Sequence, residues 1–204
     1  MKENLTEIIM IVDRSGSMSS IRSDAEGGFN EFIQKQKEVD GEVKVTVTQF
    51  DDKIEILYDN ENIENIKEYK LEPRGMTALL DAIGTTINNV GNRLSKTDES
   101  ERPSKVMVCI ITDGAENSSS EFNKHKIKDM IEEQKNKYSW EFVFIGANMD
   151  AFEEASAMGI GFAASYDATS KGIRSAFQYS CDLTTSYRTT GDLSTYDSNT
   201  KLDS

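Results

Sequence analysis

The chain has 204 residues and a formal net charge of -13, from 36 acidic and 23 basic residues. This length is typical of one α/β domain with a substantial core. The acidic excess, with no basic stripe to offset it, argues against binding to nucleic acid. No stretch approaches the roughly 20 apolar residues that a membrane helix requires, so we expect no membrane contact.

Two features of the sequence bear on the cellular compartment. The first apolar run, residues 8–12, is too short for the core of a signal peptide. Cys109 falls in an apolar strand pattern and Cys181 in a helical pattern. Two such cysteines are typical of small core residues in a reducing compartment, so we expect a cytoplasmic protein.

The first predicted strand, residues 7–12, runs directly into a loop that carries Asp13, Ser15, Gly16 and Ser17. Asp13 supplies a negative charge, and the two serines supply hydroxyl oxygens of the kind that hard cations such as Mg²⁺ bind. Gly16 allows the backbone to turn tightly beside such an ion. Serines are also common helix caps, so this loop alone leaves both interpretations open.

A helix and then a hairpin are predicted after this loop. Apolar residues recur at helical spacing between Ile21 and Ile33. Valines then alternate with polar residues over residues 43–48, and Asp51-Asp52 separates that run from a second strand over residues 53–58. Two turn residues between strands indicate an antiparallel pair, which predicts a mixed sheet.

Two later segments carry further polar residues at element ends. Thr77, two residues after Gly75, begins a helical pattern and is either an N-cap or a metal ligand. Asp113 follows a buried strand over residues 106–112. The carboxyl ends of parallel strands share one edge of a sheet, where ligands bind. We therefore expect Asp13, Thr77 and Asp113 to converge.

The remaining elements continue the alternation of strands and helices. Ser118 and Glu121 have the spacing of a capping box and predict the start of a helix. A strand, a helix, a short strand and a long last helix are predicted over residues 141–146, 150–158, 162–165 and 170–187. Residues 189–204 contain few large apolar side chains, so we expect a polar, flexible C-terminal tail.

Five oxygen-bearing residues follow each other in the order and spacing of a known metal site: Asp13, Ser15, Ser17, Thr77 and Asp113. This set resembles the metal-ion-dependent adhesion site (MIDAS) of the von Willebrand factor type A (vWA) domain family. The likeness is greatest to small stand-alone bacterial or phage members. It implies a vWA domain over residues 1–188, with a Rossmann-like, three-layer α/β/α fold. The implied central sheet is mostly parallel, with about six strands and one antiparallel edge strand.

The resemblance also implies a function. Ser15 and Ser17 would bind Mg²⁺ (or Mn²⁺) directly, Thr77 would join or leave with conformation, and Asp13 and Asp113 would often act through water. The last ligand position would accept an acidic side chain of a partner. We therefore expect a non-enzymatic, metal-dependent module that binds a protein presenting Asp or Glu.

Residues beside the predicted site are expected to form a rim that contacts the partner: Arg14, Met18, Gly75, Met76, Gly114 and Glu116. An arginine could pair with an acidic partner surface, and flexible methionines suit an adaptable contact. Ordinary loop exposure or packing accounts for these residues equally well.

The sequence leaves one main alternative and one minor one. The chain could be a permanent structural subunit of an ATPase, metal-insertion or stress-response complex, which large exposed apolar patches or co-purifying subunits would reveal. A haloacid-dehalogenase-like phosphatase requires Asp-x-Asp, but Ser15 stands where the second carboxylate is needed. The Gly159-x-Gly161 motif follows a helix rather than a strand, which excludes a dinucleotide fingerprint.

Overall fold

Strands and helices alternate along the chain in a computed structural model, which describes residues 1–147 and 150–202. The strands are β1 (Lys2–Asp13), β2 (Glu42–Phe50), β3 (Ile54–Asn62), β4 (Pro103–Thr112), β5 (Trp140–Ala147), β6 (Phe162–Tyr166) and β7 (Asn199–Lys201). The helices are α1 (Arg22–Lys37), α2 (Leu79–Lys96), α3 (Lys124–Tyr138), α4 (Ala151–Ala157) and α5 (Ser170–Thr190). Short 3₁₀ helices cover Gly16–Ile21, Ile63–Asn65 and Glu99–Glu101.

The described strands form one sheet in the order β3-β2-β1-β4-β5-β6-β7. Among these pairs only β2–β3 is antiparallel, as predicted, although the turn has three residues, 51–53, instead of the two expected. Along β1, Ile8 and Met10 pack with α1 and α5, whereas Ile9 and Ile11 pack with α2, α3 and α4. This follows from the alternation of side chains across a strand. The three-layer α/β fold with one antiparallel strand is thereby confirmed, with seven strands instead of about six.

The register of the two central strands positions the candidate site. β1 and β4 are parallel neighbours, and Val12 lies opposite Ile111. The next residue on each strand, Asp13 and Thr112, therefore stands at the same edge of the sheet. Asp13 also lies opposite Phe50 of β2, so three strand ends meet there.

The predicted helix start at Ser118 and Glu121 is wrong. α3 begins at Lys124, and the Asn123 side chain caps it by accepting the main-chain N–H of Lys126. The segment before it forms a loop, because three of its main-chain N–H groups donate to the Asp81 carboxylate. A tertiary contact has overridden a local capping signal there.

The segment predicted as a separate tail belongs to the fold as far as the structure describes it. α5 continues to Thr190, Leu193 is buried, and β7 pairs in parallel with β6. The predicted boundary after residue 188 is therefore wrong, because backbone pairing along the open edge of β6 orders a segment with few apolar side chains. Residues 203–204 of the predicted tail lie outside the described residues.

Cys109 and Cys181 are both buried free thiols, as the patterns predict. Within residues 1–147 and 150–202, none of the helices combines the length and apolar character needed to cross a membrane.

Candidate metal centre

Oxygen atoms from the loop after β1 and from the end of β4 lie within hydrogen-bonding distance of each other. The Ser15 and Ser17 Oγ atoms are 3.0 Å apart. Ser17 Oγ also donates to Asp113 Oδ1 at 2.6 Å. Asp13 Oδ1 accepts the main-chain N–H of Ser15 at 2.6 Å, which folds the loop back over the strand end. The structure thus brings together four of the five predicted ligand residues.

The fifth predicted ligand, Thr77, comes from a separate segment. A Cβ atom built on Gly114 would lie 3.7 Å from Thr77 Oγ1 and 3.8 Å from Ser17 Oγ, so both hydroxyls stand beside the same glycine. α2 begins only at Leu79 and has no side-chain cap, so the N-cap interpretation of Thr77 is wrong. The Thr77 hydroxyl therefore does not cap this helix.

Burial dominates the electrostatics of the two carboxylates. It raises the pKa of Asp13 from 3.8 to about 6, although hydrogen bonds from Thr112 and Ser15 oppose the rise and the charge of Asp113 adds to it. The Thr112 hydroxyl donates to Asp13 Oδ2 at 2.6 Å. Burial also raises the pKa of Asp113, against the hydrogen bond from Ser17. Both carboxylates are thus held where a nearby positive charge would favour ionisation.

The donor set suits a small hard cation. Two carboxylates and three hydroxyls supply only oxygen, which Mg²⁺ prefers, and no thiol or imidazole of the kind that zinc usually takes. Over the described part of the chain, no group of three or more His, Cys, Asp or Glu residues could hold a metal. Any ion bound here therefore depends on the hydroxyls of Ser15, Ser17 and Thr77. The absence of a side chain at Gly114 keeps the space beside these hydroxyls open.

Two of the predicted rim residues are not at an exposed rim, which corrects their assignment as partner contacts. Arg14 is only 4% exposed, and its guanidinium pairs with Asp51 and Glu55. Met18 is 0% exposed and packs in the core beneath the 3₁₀ helix. Neither side chain is available to a partner, because internal charges and the core already surround them.

The other predicted rim residues differ in what they offer. Met76 is 51% exposed beside Thr77. Gly75 has a left-handed backbone (φ +67°), which favours glycine. Gly114 is partly buried between the hydroxyls described above. The Glu116 carboxylate is used internally, because it accepts the main-chain N–H groups of Leu80, Ser118 and Ser119 and the Ser119 hydroxyl.

A set of hydrogen bonds joins the Thr77 segment to the loop between β4 and α3. Thr77 N–H donates to Asn117 Oδ1, and the main-chain N–H of Asn117 donates to Thr77 O. Glu116 and Asp81 add the contacts described above. Sequence reasoning assigned no site role to Asn117, Asp81 or Thr112. For Thr112 a signal existed, because it directly precedes Asp113 at the end of an apolar strand.

The Asp81 carboxylate gives a stability prediction. It is 5% exposed and accepts three main-chain N–H groups, at 2.8–3.0 Å. We expect Asp81→Ala to lower the free energy of unfolding by about 2–3 kcal/mol, since hydrogen bonds to a buried charge are lost together. Urea titration measures this. The control is Asp129→Ala, an exposed carboxylate paired with His125, expected to change stability by less than about 0.5 kcal/mol. Equal stability of the two variants would contradict the prediction.

Comparison with known proteins places the fold. No protein-family model matches this sequence, and no curated protein matches it. Among solved structures, a von Willebrand factor type A protein from Catenulispora acidiphila matches with a TM-score of 0.62 and 12% identity, over 92% of this chain and 43% of that chain. Proximal thread matrix protein 1 from the mussel byssus, "with zinc occupied MIDAS motif", matches with a TM-score of 0.61 and 15% identity, over 90% and 46%.

A third match is the ArnB paralog VWA2 from Sulfolobus acidocaldarius, with a TM-score of 0.55 and 19% identity, over 86% of this chain and 45% of that chain. This chain spans less than half the length of these three solved chains. At such low identities the likeness establishes the fold alone. The chain is therefore an α/β protein with a vWA-like fold.

Proposed function

We propose that this chain is a non-enzymatic protein-binding module that holds a divalent cation and binds an Asp or Glu of a partner protein. One observation carries the proposal: hydroxyl and carboxylate oxygens from separate segments meet at one edge of the sheet. The contacts of Ser17 Oγ with Ser15 Oγ and Asp113 Oδ1, at 3.0 and 2.6 Å, define this meeting point. The vWA-like fold supports the proposal in general terms.

In this proposal Ser15, Ser17 and Thr77 hold Mg²⁺ or Mn²⁺ through their hydroxyls. Asp13 and Asp113 act through water or through their hydrogen bonds to the serines. When bound, the ion supplies the positive charge that attracts the partner's carboxylate. Neutral hydroxyl ligands preserve this attraction, because each further carboxylate on the ion would repel an incoming anion. The zinc-occupied MIDAS of the mussel protein supports a divalent cation but does not select the metal.

The surface favours reversible binding over permanent incorporation into a complex. Large exposed apolar side chains in the described part of the chain are Met1, Met76 and Tyr138, which belong to three different segments. A permanent subunit is expected to expose a larger contiguous apolar surface. We further propose a reducing compartment, the cytoplasm, because Cys109 and Cys181 are buried free thiols.

The proposed absence of catalysis rests on the residues at the site. Ser15 occupies the position where phosphatases of the haloacid-dehalogenase kind need a second acid, so the acid/base residue of the Asp-x-Asp motif is missing. His125 is exposed on α3 and paired with Asp129, so it supplies no general base to Ser15 or Ser17. These features support a binding role.

A pull-down tests the proposed function. Wild type and the Ser15→Ala/Ser17→Ala variant serve as baits in the native lysate, each with Mg²⁺ or with a chelator, and captured proteins are identified by mass spectrometry. We expect a partner in the wild-type sample with Mg²⁺ alone. That partner should lose binding when one surface Asp or Glu of its own is changed to Asn or Gln. The same proteins in all four samples would contradict the proposal.

A further inference from the structure

Asp51, a buried residue directly after β2, contacts both of the loops that carry the predicted hydroxyl ligands. Its Oδ2 atom accepts a hydrogen bond from Arg14 Nε at 2.8 Å and another from Arg74 Nε at 2.8 Å. Arg14 lies between Asp13 and Ser15 in the first loop. Arg74 lies three residues before Thr77 in the second. One carboxylate oxygen therefore joins the two loops.

Main-chain hydrogen bonds repeat this connection. Arg74 N–H donates to Arg14 O at 2.9 Å, and Gly16 N–H donates to Gly75 O at 3.3 Å, so the loops also pair directly. Ala78 N–H donates to Asp51 O at 2.8 Å, which fixes the chain on the other side of Thr77. The Thr77 segment is thus held on both sides by residues that bind no metal in the proposed scheme.

The β2–β3 turn packs closely against the backbone of Gly75. A Cβ atom built on Gly75 would lie only 2.1 Å from Asp52 Oδ1 and 3.3 Å from the Asp51 Cβ atom. The backbone of Gly75 therefore rests on the turn that carries Asp51. Because Ala78 also bonds to Asp51, we expect a shift of that turn to move Thr77, which lies between Gly75 and Ala78.

The charges in this cluster are balanced internally. Arg14 Nη1 donates to Glu55 Oε2 at 2.7 Å, and Gln49 Nε2 donates to the same oxygen at 2.9 Å. Burial opposes ionisation of Asp51, but hydrogen bonds from Arg74 and Lys53 and the charges of both arginines hold its pKa below the ordinary value. Asp51 is therefore a carboxylate at neutral pH and holds both guanidinium groups by charge-assisted hydrogen bonds.

We propose that Asp51 and Arg74 are positioning residues, which set the distance between the Ser15/Ser17 loop and Thr77 and thereby set cation affinity without contacting the cation. This inference rests on the proposed function. Partners that orient metal ligands from outside typically change metal affinity when they are removed, although they bind no metal themselves. Arg74 is the better test residue, because its side chain is 55% exposed. When Arg74 is replaced, buried Asp51 loses one partner but keeps its ion pair with Arg14.

The experiment measures Mg²⁺ binding by calorimetry and, separately, unfolding in chelator. The variants are Arg74→Gln, Arg74→Lys and Asp51→Asn. The matched control is Arg174→Gln, another exposed arginine paired with one carboxylate, Asp24, on a different part of the surface. We expect Arg74→Gln and Asp51→Asn to weaken Mg²⁺ binding by about 10- to 100-fold, with Arg74→Lys intermediate and the control unchanged. A merely structural role would lower stability in chelator and leave the Kd for Mg²⁺ unchanged.

Each other outcome has a defined meaning. Wild-type Mg²⁺ affinity in folded Arg74→Gln overturns the inference and leaves the proposed function intact, provided that the Ser15→Ala/Ser17→Ala variant has lost binding. If the wild type itself binds no Mg²⁺, both the proposed function and this inference are overturned. Arg74→Gln decides the question if Asp51→Asn fails to fold, since Arg74 lies at the surface.

Discussion

Replacement of both Ser15 and Ser17 by alanine is expected to weaken Mg²⁺ binding by more than about 100-fold. Removal of a residue that only hydrogen-bonds to a metal ligand typically lowers metal affinity by about 10- to 100-fold, and here two ligands are lost. The two hydroxyls stand 3.0 Å apart, and Ser17 Oγ lies 2.6 Å from Asp113 Oδ1. Calorimetric titration with Mg²⁺, and the change in Tm on adding Mg²⁺, measure the effect. The partner captured in the pull-down should be lost with the metal.

The fold should survive this double substitution. In the metal-free protein the change removes the hydrogen bond from Ser17 to Asp113 and the contact between the two hydroxyls, which together cost about 1–2 kcal/mol of unfolding free energy. The matched control is Ser19→Ala/Ser20→Ala, two exposed serines of the 3₁₀ helix that follows Ser15, whose hydroxyls donate to main-chain oxygens. Undiminished Mg²⁺ binding by the Ser15/Ser17 variant would refute the assigned ligands.

The second large effect concerns the pH dependence of stability. In the metal-free folded protein the pKa of Asp13 is raised from 3.8 to about 6. At pH values between these two, the folded protein keeps a proton on Asp13 that the unfolded chain has already released. The folded state therefore binds more protons in this window. The unfolding free energy is expected to fall as pH rises from about 4 to about 6, by up to about 3 kcal/mol, and then to level off. Asp113 acts in the same direction.

A bound cation should reverse this trend, since its positive charge favours the ionised forms of the nearby carboxylates and so opposes their protonation. We expect Mg²⁺ to stabilise the protein little at about pH 5 and clearly above about pH 7. Urea unfolding at both values, with Mg²⁺ or chelator, measures the difference. In the Asp13→Asn variant, stabilisation by Mg²⁺ should disappear. The part of the pH dependence of the unfolding free energy that comes from this residue should disappear as well. Equal stabilisation by Mg²⁺ at the two values would exclude Asp13 from the site.

Patterns local in sequence determined the order of elements in this protein. An apolar run that ends at Asp13 and a second one that ends beside Asp113 both form central parallel strands. The turn that begins at Asp51-Asp52 joins β2 and β3 as an antiparallel pair. From that order, the meeting of Asp13, Ser15, Ser17, Thr77 and Asp113 could be predicted, because parallel strands end at one edge. Metal binding by these residues stays a prediction.

Only the tertiary structure decided what surrounds these residues. Arg14 is buried against Asp51, Glu116 accepts the main-chain N–H of Leu80, and β7 pairs with β6. Each depends on partners distant in sequence: Arg14 and Asp51 are 37 residues apart, and Leu80 and Glu116 are 36 apart. Local patterns record the periodicity of a strand or helix, but the exposure and partners of a loop side chain depend on which distant segments pack beside it.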